Sequence, residues 1–179
     1  GADRPGDISY LLSIARPTIG IVTAVGEIPV HLEFYEDAKA VAVEKSQLIQ
    51  ALPANGYAIL NFDDDVVFAM KEKTRAQRLT FGFSAGADIR ISNFVNHFEN
   101  QIPVGIAFKL EYAGNFIPVR ISGVFGKGAA YAAAAAAAAG IARGLNLIKI
   151  SDALRYFESP PSRMKFMAGI NKSVIIDDS

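Results

Sequence analysis

The chain of 179 residues contains no cysteine, no tryptophan and only two histidines. Without cysteine there is no disulfide and no thiolate metal site, so any bound metal must be held by oxygen or imidazole nitrogen. Excess charge is also missing, because 18 Lys plus Arg balance 18 Asp plus Glu and no stretch concentrates basic residues. That balance removes the electrostatic footprint of nucleic-acid or anionic-membrane binding. Nor is any apolar run long enough for a membrane span: the longest small-apolar stretch, Ala129 to Ala142, falls short, is mostly alanine and includes Gly140. It reads as a helix of small side chains packed closely on a sheet, so no membrane insertion is expected.

Set against these absences, a hydrophobic fraction of 51% with 20% charged residues is an ordinary globular composition. The length allows one substantial core, or one domain and the start of another. The first residues are Gly1-Ala2-Asp3-Arg4, without methionine or a charged-then-apolar leader, and the last are Ile175-Ile176-Asp177-Asp178-Ser179, in what reads as a strand. The expectation is therefore a fragment of a longer cytoplasmic, monomeric protein without a signal peptide.

Ile8 to Ala15 reads as a short helix that Pro17 breaks before the apolar run Ile19 to Thr23. A helix over 36–52 follows, stopped by Pro53 and the Asn55-Gly56 turn, and Tyr57 to Phe62 is a second apolar run. A helix from about Asp64 to Thr74 then leads to a third strand, Arg78 to Phe83. Strands that are apolar throughout and separated by helices indicate a parallel sheet with right-handed crossovers. Beyond Asp88 the pattern changes to alternation in Asp88 to Phe94, Phe108 to Tyr112 and Ile117 to Ile121, the last two joined by Ala113-Gly114-Asn115. Period two with a glycine turn signals antiparallel ribbon with one wet face. Helices over 127–143 and 151–157 follow, then the linker candidate Ser159-Pro160-Pro161-Ser162 and two short strands, Met164 to Met167 and Ser173 to Ile176. The fold class is α/β: a mostly parallel sheet flanked by helices, with a small antiparallel sheet appended at residues 88–123.

Lys45 stands out on the helix 36–52. Ala38, Val41, Ala42, Leu48, Ile49 and Leu52 form one apolar stripe, and Lys45 sits in its middle. A lysine there either snorkels out along its stem or is held desolvated, where the neutral amine is favoured and reactive. Periodicity alone favours snorkelling. Asp63-Asp64-Asp65 is either a metal cluster or a helix cap, and capping is the better reading because carboxylates there accept from free backbone N–H groups. Gly126-Lys127-Gly128 is not a phosphate loop, since no Ser or Thr follows Gly-Lys and Ile121 stands where the first glycine belongs.

The segment Val22-Thr23-Ala24-Val25-Gly26-Glu27-Ile28-Pro29-Val30-His31-Leu32-Glu33-Phe34, followed by Lys45 on a helix, strongly resembles the central ATPase domain of the Mur ligase family, whose sheet is of the P-loop-NTPase type. Asn61-Phe62-Asp63-Asp64 matches the family's Asn-x-Asp-Asp, Ser162-Arg163-Met164 its Gly-Arg-Met/Leu, and Ile176-Asp177-Asp178-Ser179 the start of its Asp-Asp-Ser-Tyr-Asn-Ala-Asn-Pro. The resemblance covers essentially all residues and implies a central domain over 1–158, then a linker and the first strands of the C-terminal domain over 159–179. It implies an ATP-dependent amide ligase using Mg²⁺, with Lys45 as a carbamate and His31 in the metal cluster, and with Arg163 and Asp178 contacting nucleotide. Within the family the wording around His31 is most similar to the member that joins D-alanyl-D-alanine to UDP-N-acetylmuramoyl-tripeptide. Another Mur or folylpolyglutamate-type ligase, or a non-catalytic relic module, stays open. Two departures stand: the loop from Gly26 to His31 is one residue longer, and Gly128-Ala129 replaces the His-Asn whose asparagine faces adenine.

The family's Gly-x-x-Gly-Lys-Thr loop, which supplies backbone donors and a lysine to the β- and γ-phosphates, is not among these 179 residues. The polypeptide alone is accordingly expected neither to hydrolyse ATP nor to bind it tightly. Calorimetry with Mg-ATP checks this: neither turnover nor micromolar binding is the expected result, and either one would place the nucleotide site elsewhere.

Overall fold

A computed structural model describes residues 3–26, 34–100, 102–157, 160, 165–170 and 173–177. The chain divides into two compact units, Gly1–Asp88 and Ile89–Ser179, at the point where the sequence pattern switches from apolar runs to alternation.

In the first unit, helix α1 (Asp7–Ile14) precedes strand β1 (Ile19–Val22), helix α2 (Ala38–Gln50), strand β2 (Tyr57–Asn61), helix α3 (Asp65–Ala69) and strand β3 (Gln77–Gly82). The three strands pair in parallel with β2 in the middle, Ile21 opposite Ile59 and Ile59 opposite Leu79. Val22, Ile49, Leu52, Ala58, Leu60, Val67 and Met70 close one core. Both crossover helices start on an aspartate: Asp37 accepts from Ala40 N–H at 2.8 Å and Asp64 from Val67 N–H at 3.0 Å. The helix expected over 64–74 is shorter than its sequence suggests. It is α-helical only to Ala69 and tightens into a 3₁₀ turn over Met70–Lys73, the way many helices end. Helix α1 buries no side chain and is fastened to α2 through Ile8 N–H, which donates to the buried Glu44 carboxylate at 2.8 Å.

In the second unit, strands β4 (Ile89–Glu99), β5 (Ile102–Tyr112) and β6 (Asn115–Ser122) form an antiparallel meander. The strands run longer than the alternation indicated, because β4 carries a register shift between Ser92 and Val95 that breaks period two without ending the ladder. Ile89, Ile91, Ile106, Phe108, Leu110, Val119 and Ile121 bury one face. Helix α4 (Gly126–Ala142) presents Ala130, Ala134, Ala137 and Ala138 to the interior. Each alanine removes only one methyl from water, worth about 0.8 kcal/mol; what the run provides is close approach of a helix backbone, with high helical propensity.

Helix α5 spans Leu147–Leu154, not 151–157. Its start is Asn146, whose side chain accepts from Lys149 N–H at 3.0 Å, a cap that the sequence displays and that the reading from Ser151 passed over. Ser151 Oγ donates to the Pro118 carbonyl at 3.1 Å, tying α5 to the edge strand β6, where a proline without an N–H is tolerated. The two short terminal strands expected from the sequence are β7 (Lys165–Ala168) and β8 (Val174–Asp177), which pair antiparallel. The α/β class expected from the sequence is thus the one observed.

Gly105 in β5 faces Ser122 of β6, and a Cβ there would run into the Ile121 carbonyl oxygen. Backbone cannot yield as a flexible side chain can, so Gly105→Ala is expected to cost about 1–3 kcal/mol. Urea unfolding measures it, and an unchanged midpoint would mean that the two strands are not held this close.

Candidate functional site

In open α/β sheets the ligand crevice lies beyond the carboxyl ends of the strands. Here those ends are fastened by the turn that leaves the central strand β2. Asn61, buried, donates from Nδ2 to the Thr23 carbonyl at 2.8 Å and accepts at Oδ1 from Asp63 N–H at 3.0 Å. Asp63 reaches the other neighbour, accepting from Phe83 N–H at 2.5 Å and Ser84 N–H at 3.0 Å just past β3. Gly82 makes room for it, since a Cβ there would meet the Asp63 carboxylate. Asp64 divides its oxygens: Oδ1 caps α3, while Oδ2 accepts from Val25 N–H at 2.8 Å and Gly26 N–H at 3.0 Å beyond β1. Burial pulls the Asp64 carboxyl upward, but the N–H groups of Val67, Gly26, Val25 and Val66 together hold it below the ordinary carboxylate range.

Lys45 meets this fastening from α2. Its side chain is half-buried and Nζ donates to the Ala24 carbonyl at 2.9 Å, in the segment that Asn61 and Asp64 pin. Burial lowers its pKa, with the Asp64 carboxylate pulling the other way. The stripe around it is less apolar than its spacing suggests, for Glu44 and Ser46 are buried beside Val41 and Ile49. Lys39 is exposed.

His31, Arg163 and Asp178 lie outside the described residues. On either side of His31, Val25 and Gly26 are bound to Asp64, while Phe34 lies under the Arg4 guanidinium, 5.0 Å from its ring centre. The capping expected of these aspartates holds for Asp64, whereas Asp63 bonds the end of β3 instead; the reach of the pair to β1 and β3 was not legible, because it spans 20 to 39 residues of sequence. The Asn-x-Asp-Asp spacing is the signal that could have found it. Gly126-Lys127-Gly128 opens α4, and its first N–H donates to Asn96 Oδ1 at 3.0 Å.

Among the described residues no three His, Cys, Asp or Glu side chains stand close enough to hold a metal. The Asp64 oxygens are spoken for by backbone N–H groups, and a lysine amine is not a magnesium ligand, because magnesium takes hard oxygen donors. A carbamate on Lys45 supplies two such oxygens, so the donor chemistry fits a magnesium ion in that form. No helix among the described residues is long and apolar enough to cross a membrane.

A family description given as Mur ligase middle domain matches residues 1–140. The UDP-N-acetylmuramate--L-alanine ligase of Aquifex aeolicus is 26% identical over 163 residues, 91% of this chain and 34% of that ligase. The UDP-N-acetylmuramoyl-tripeptide--D-alanyl-D-alanine ligase of Mycobacterium leprae is 43% identical over 76 residues, 42% of this chain and 14% of that ligase. Among solved structures, that of MurF ligase from Thermotoga maritima in complex with ADP is similar with a TM-score of 0.83 at 24% identity, covering 99% of this chain and 39% of that one, a likeness of fold. The chain spans about a third or less of the length of these curated relatives.

The two oxygens of Asp64 make its roles separable. Asp64→Ala loses the cap and both loop bonds and is expected to cost about 2–3 kcal/mol. Asp64→Asn keeps the cap oxygen but presents an NH₂ to Val25 and Gly26, and should cost about half as much. Because the folded pKa is lowered, the wild-type advantage is complete above the unfolded value near 4 and disappears as pH falls through the folded one. Urea unfolding of the three proteins at neutral pH and under acid decides it; equal stability of Asp64→Ala and Asp64→Asn would show that the loop bonds contribute nothing.

Proposed function

The chain belongs to the Mur ligase family, whose middle domain it matches, and we propose that it serves an ATP-dependent ligase of peptidoglycan-precursor synthesis that adds D-alanyl-D-alanine to UDP-N-acetylmuramoyl-tripeptide. In this reading residues 1–158 are the central domain and 159–179 lead into the C-terminal one. The γ-phosphoryl group of ATP passes to the terminal carboxylate of the tripeptide, ADP leaves, and the amine of the dipeptide attacks the acyl phosphate and expels inorganic phosphate. Such chemistry asks the protein for positioning and charge stabilisation more than for covalent participation.

The observation that carries the reading is the placement of Lys45. Its half-buried side chain carries the amine to the Ala24 carbonyl, in the strand-end segment that runs on in sequence to His31, which suits reaction as the neutral base. The lysine nitrogen attacks carbon dioxide, a proton leaves, and the cation becomes a carbamate anion. Since the folded pKa is lowered, the neutral amine becomes available at lower pH than in a free lysine. Lys45 as carbamate and His31 would hold the magnesium ion, which when bound would neutralise charge developing on the phosphates. Arg163 and Asp178 would contact nucleotide from the C-terminal side. The fastening by Asn61, Asp63 and Asp64 keeps these strand ends in register, so the segment that the Lys45 amine bonds is positioned before the substrate arrives.

A second reading has its own support. Of the two curated relatives named above, the one aligned over the longer stretch is the ligase for L-alanine, so the chain can belong to a sister enzyme that adds a single amino acid to a UDP-muramoyl acceptor. The run of higher identity, to the D-alanyl-D-alanine ligase, favours the first.

Phosphate release by the full-length protein, supplied with D-alanyl-D-alanine, with single amino acids or with folate plus glutamate, distinguishes these readings. Turnover is expected with UDP-muramoyl-tripeptide and D-alanyl-D-alanine together, and preference for L-alanine would move the protein to the sister enzyme. In the same assay Lys45→Ala should lower turnover roughly a hundredfold or more, partly restored by short carboxylates, while Lys39→Ala should not change it. Near-normal turnover of the Lys45 variant would remove the carbamate from the account.

A further inference from the structure

We propose that the outward face of the antiparallel sheet carries a binding site for a phosphate-bearing small molecule, built from Lys109, Arg120 and Arg155. It shares no residue with the Lys45 site and goes beyond the ligase reading. The three side chains line a cavity of about 580 Å³, together with Asn93 and Ser122, over a floor that includes Pro118. Lys109 pairs across the sheet with Pro118, and Arg120 with Ala107, so the two cations are diagonal neighbours on one face of adjacent strands.

Like charges that close repel, and nearby carboxylates usually compensate them. Here none does. No Asp or Glu lines the cavity among the described residues. The acid nearest in register, Glu111, is occupied by Arg90 at 3.4 Å and by the Ser92 hydroxyl. Lys109 Nζ instead lies over the Phe116 ring, 4.7 Å from its centre. Arg155 meets Asp152 at 3.7 Å, but both side chains are more than half exposed, and such a pair contributes too little to hold the guanidinium against a better anion. Two guanidinium groups and one ammonium match the oxygens of a phosphate, which they bind by charge-assisted hydrogen bonds. Asn93 and Ser122 add neutral donors, the prolyl floor suits the non-ionic remainder of a ligand, and the volume is that of a small-molecule site.

Titration of the 179-residue chain with sodium pyrophosphate at low salt, followed by the amide resonances of Asn93 and Ser122, tests the site. Saturable shifts that weaken with salt are expected, with affinity falling about tenfold in Arg120→Gln and further when Lys109→Gln is added. Arg78→Gln, an exposed change in β3, should leave binding as it was. Thermal unfolding confirms that the variants are folded. The proposal is overturned if no saturable shift occurs, if the folded double variant binds as well as wild type, or if citrate competes as strongly as pyrophosphate binds, which would reduce the face to unspecific positive charge.

Discussion

The polar turn that leaves the central strand is the constraint on which the first unit depends. A parallel sheet is laddered by backbone hydrogen bonds only as far as its strands run, and beyond Val22, Asn61 and Gly82 those ladders stop. Asn61, Asp63 and Asp64 take over at that point: the two aspartates accept from four backbone N–H groups, two just past β3 and two in the loop after β1, and Asn61 donates to the Thr23 carbonyl. Carboxylates suit the task because each oxygen accepts more than one hydrogen bond, and a bond to a charged acceptor is worth more than one between neutral groups. The same bonds keep Asp64 ionised and so maintain the negative charge that faces Lys45. One turn thereby sets the geometry of the strand ends and the electrostatic surroundings of the amine.

Much of this architecture was legible in the order of residues. Apolar strands separated by helices gave the parallel sheet, and alternation after Asp88 gave the antiparallel one, because burial on two faces or on one leaves different periods in sequence. The misplaced boundaries have local causes: a cap at Asn146, a 3₁₀ finish after Ala69 and a register shift within β4 are each decided by one or two hydrogen bonds that periodicity does not register. Lys45 could be picked out by its position on a helical stripe, yet its state could not, since both readings share one sequence and differ only in where Nζ points. The reach of Asp63 and Asp64 to their strand neighbours was hidden for a different reason, namely that capping already explained aspartates at a helix start.

The second unit follows another economy. Its core is built from the inward faces of three antiparallel strands, and the alanine helix lies close because it has so little side chain to interpose. A helix of larger residues would hold the sheet through greater apolar area; this one relies on proximity and propensity. Gly128-Ala129, the departure noted from the family resemblance, falls on its first turn.

The central claim is that side chains, and not backbone ladders, hold the ends of the parallel strands together. Native-state hydrogen exchange of the unmodified chain tests it at the amides of Val25, Gly26, Phe83 and Ser84, which sit beyond the strands and donate to Asp64 or Asp63. Protection of roughly a hundredfold or more over free loop amides at all four positions is the predicted result. Exchange at unprotected rates would contradict the account, because strand ends fastened in this way cannot leave those N–H groups open to water.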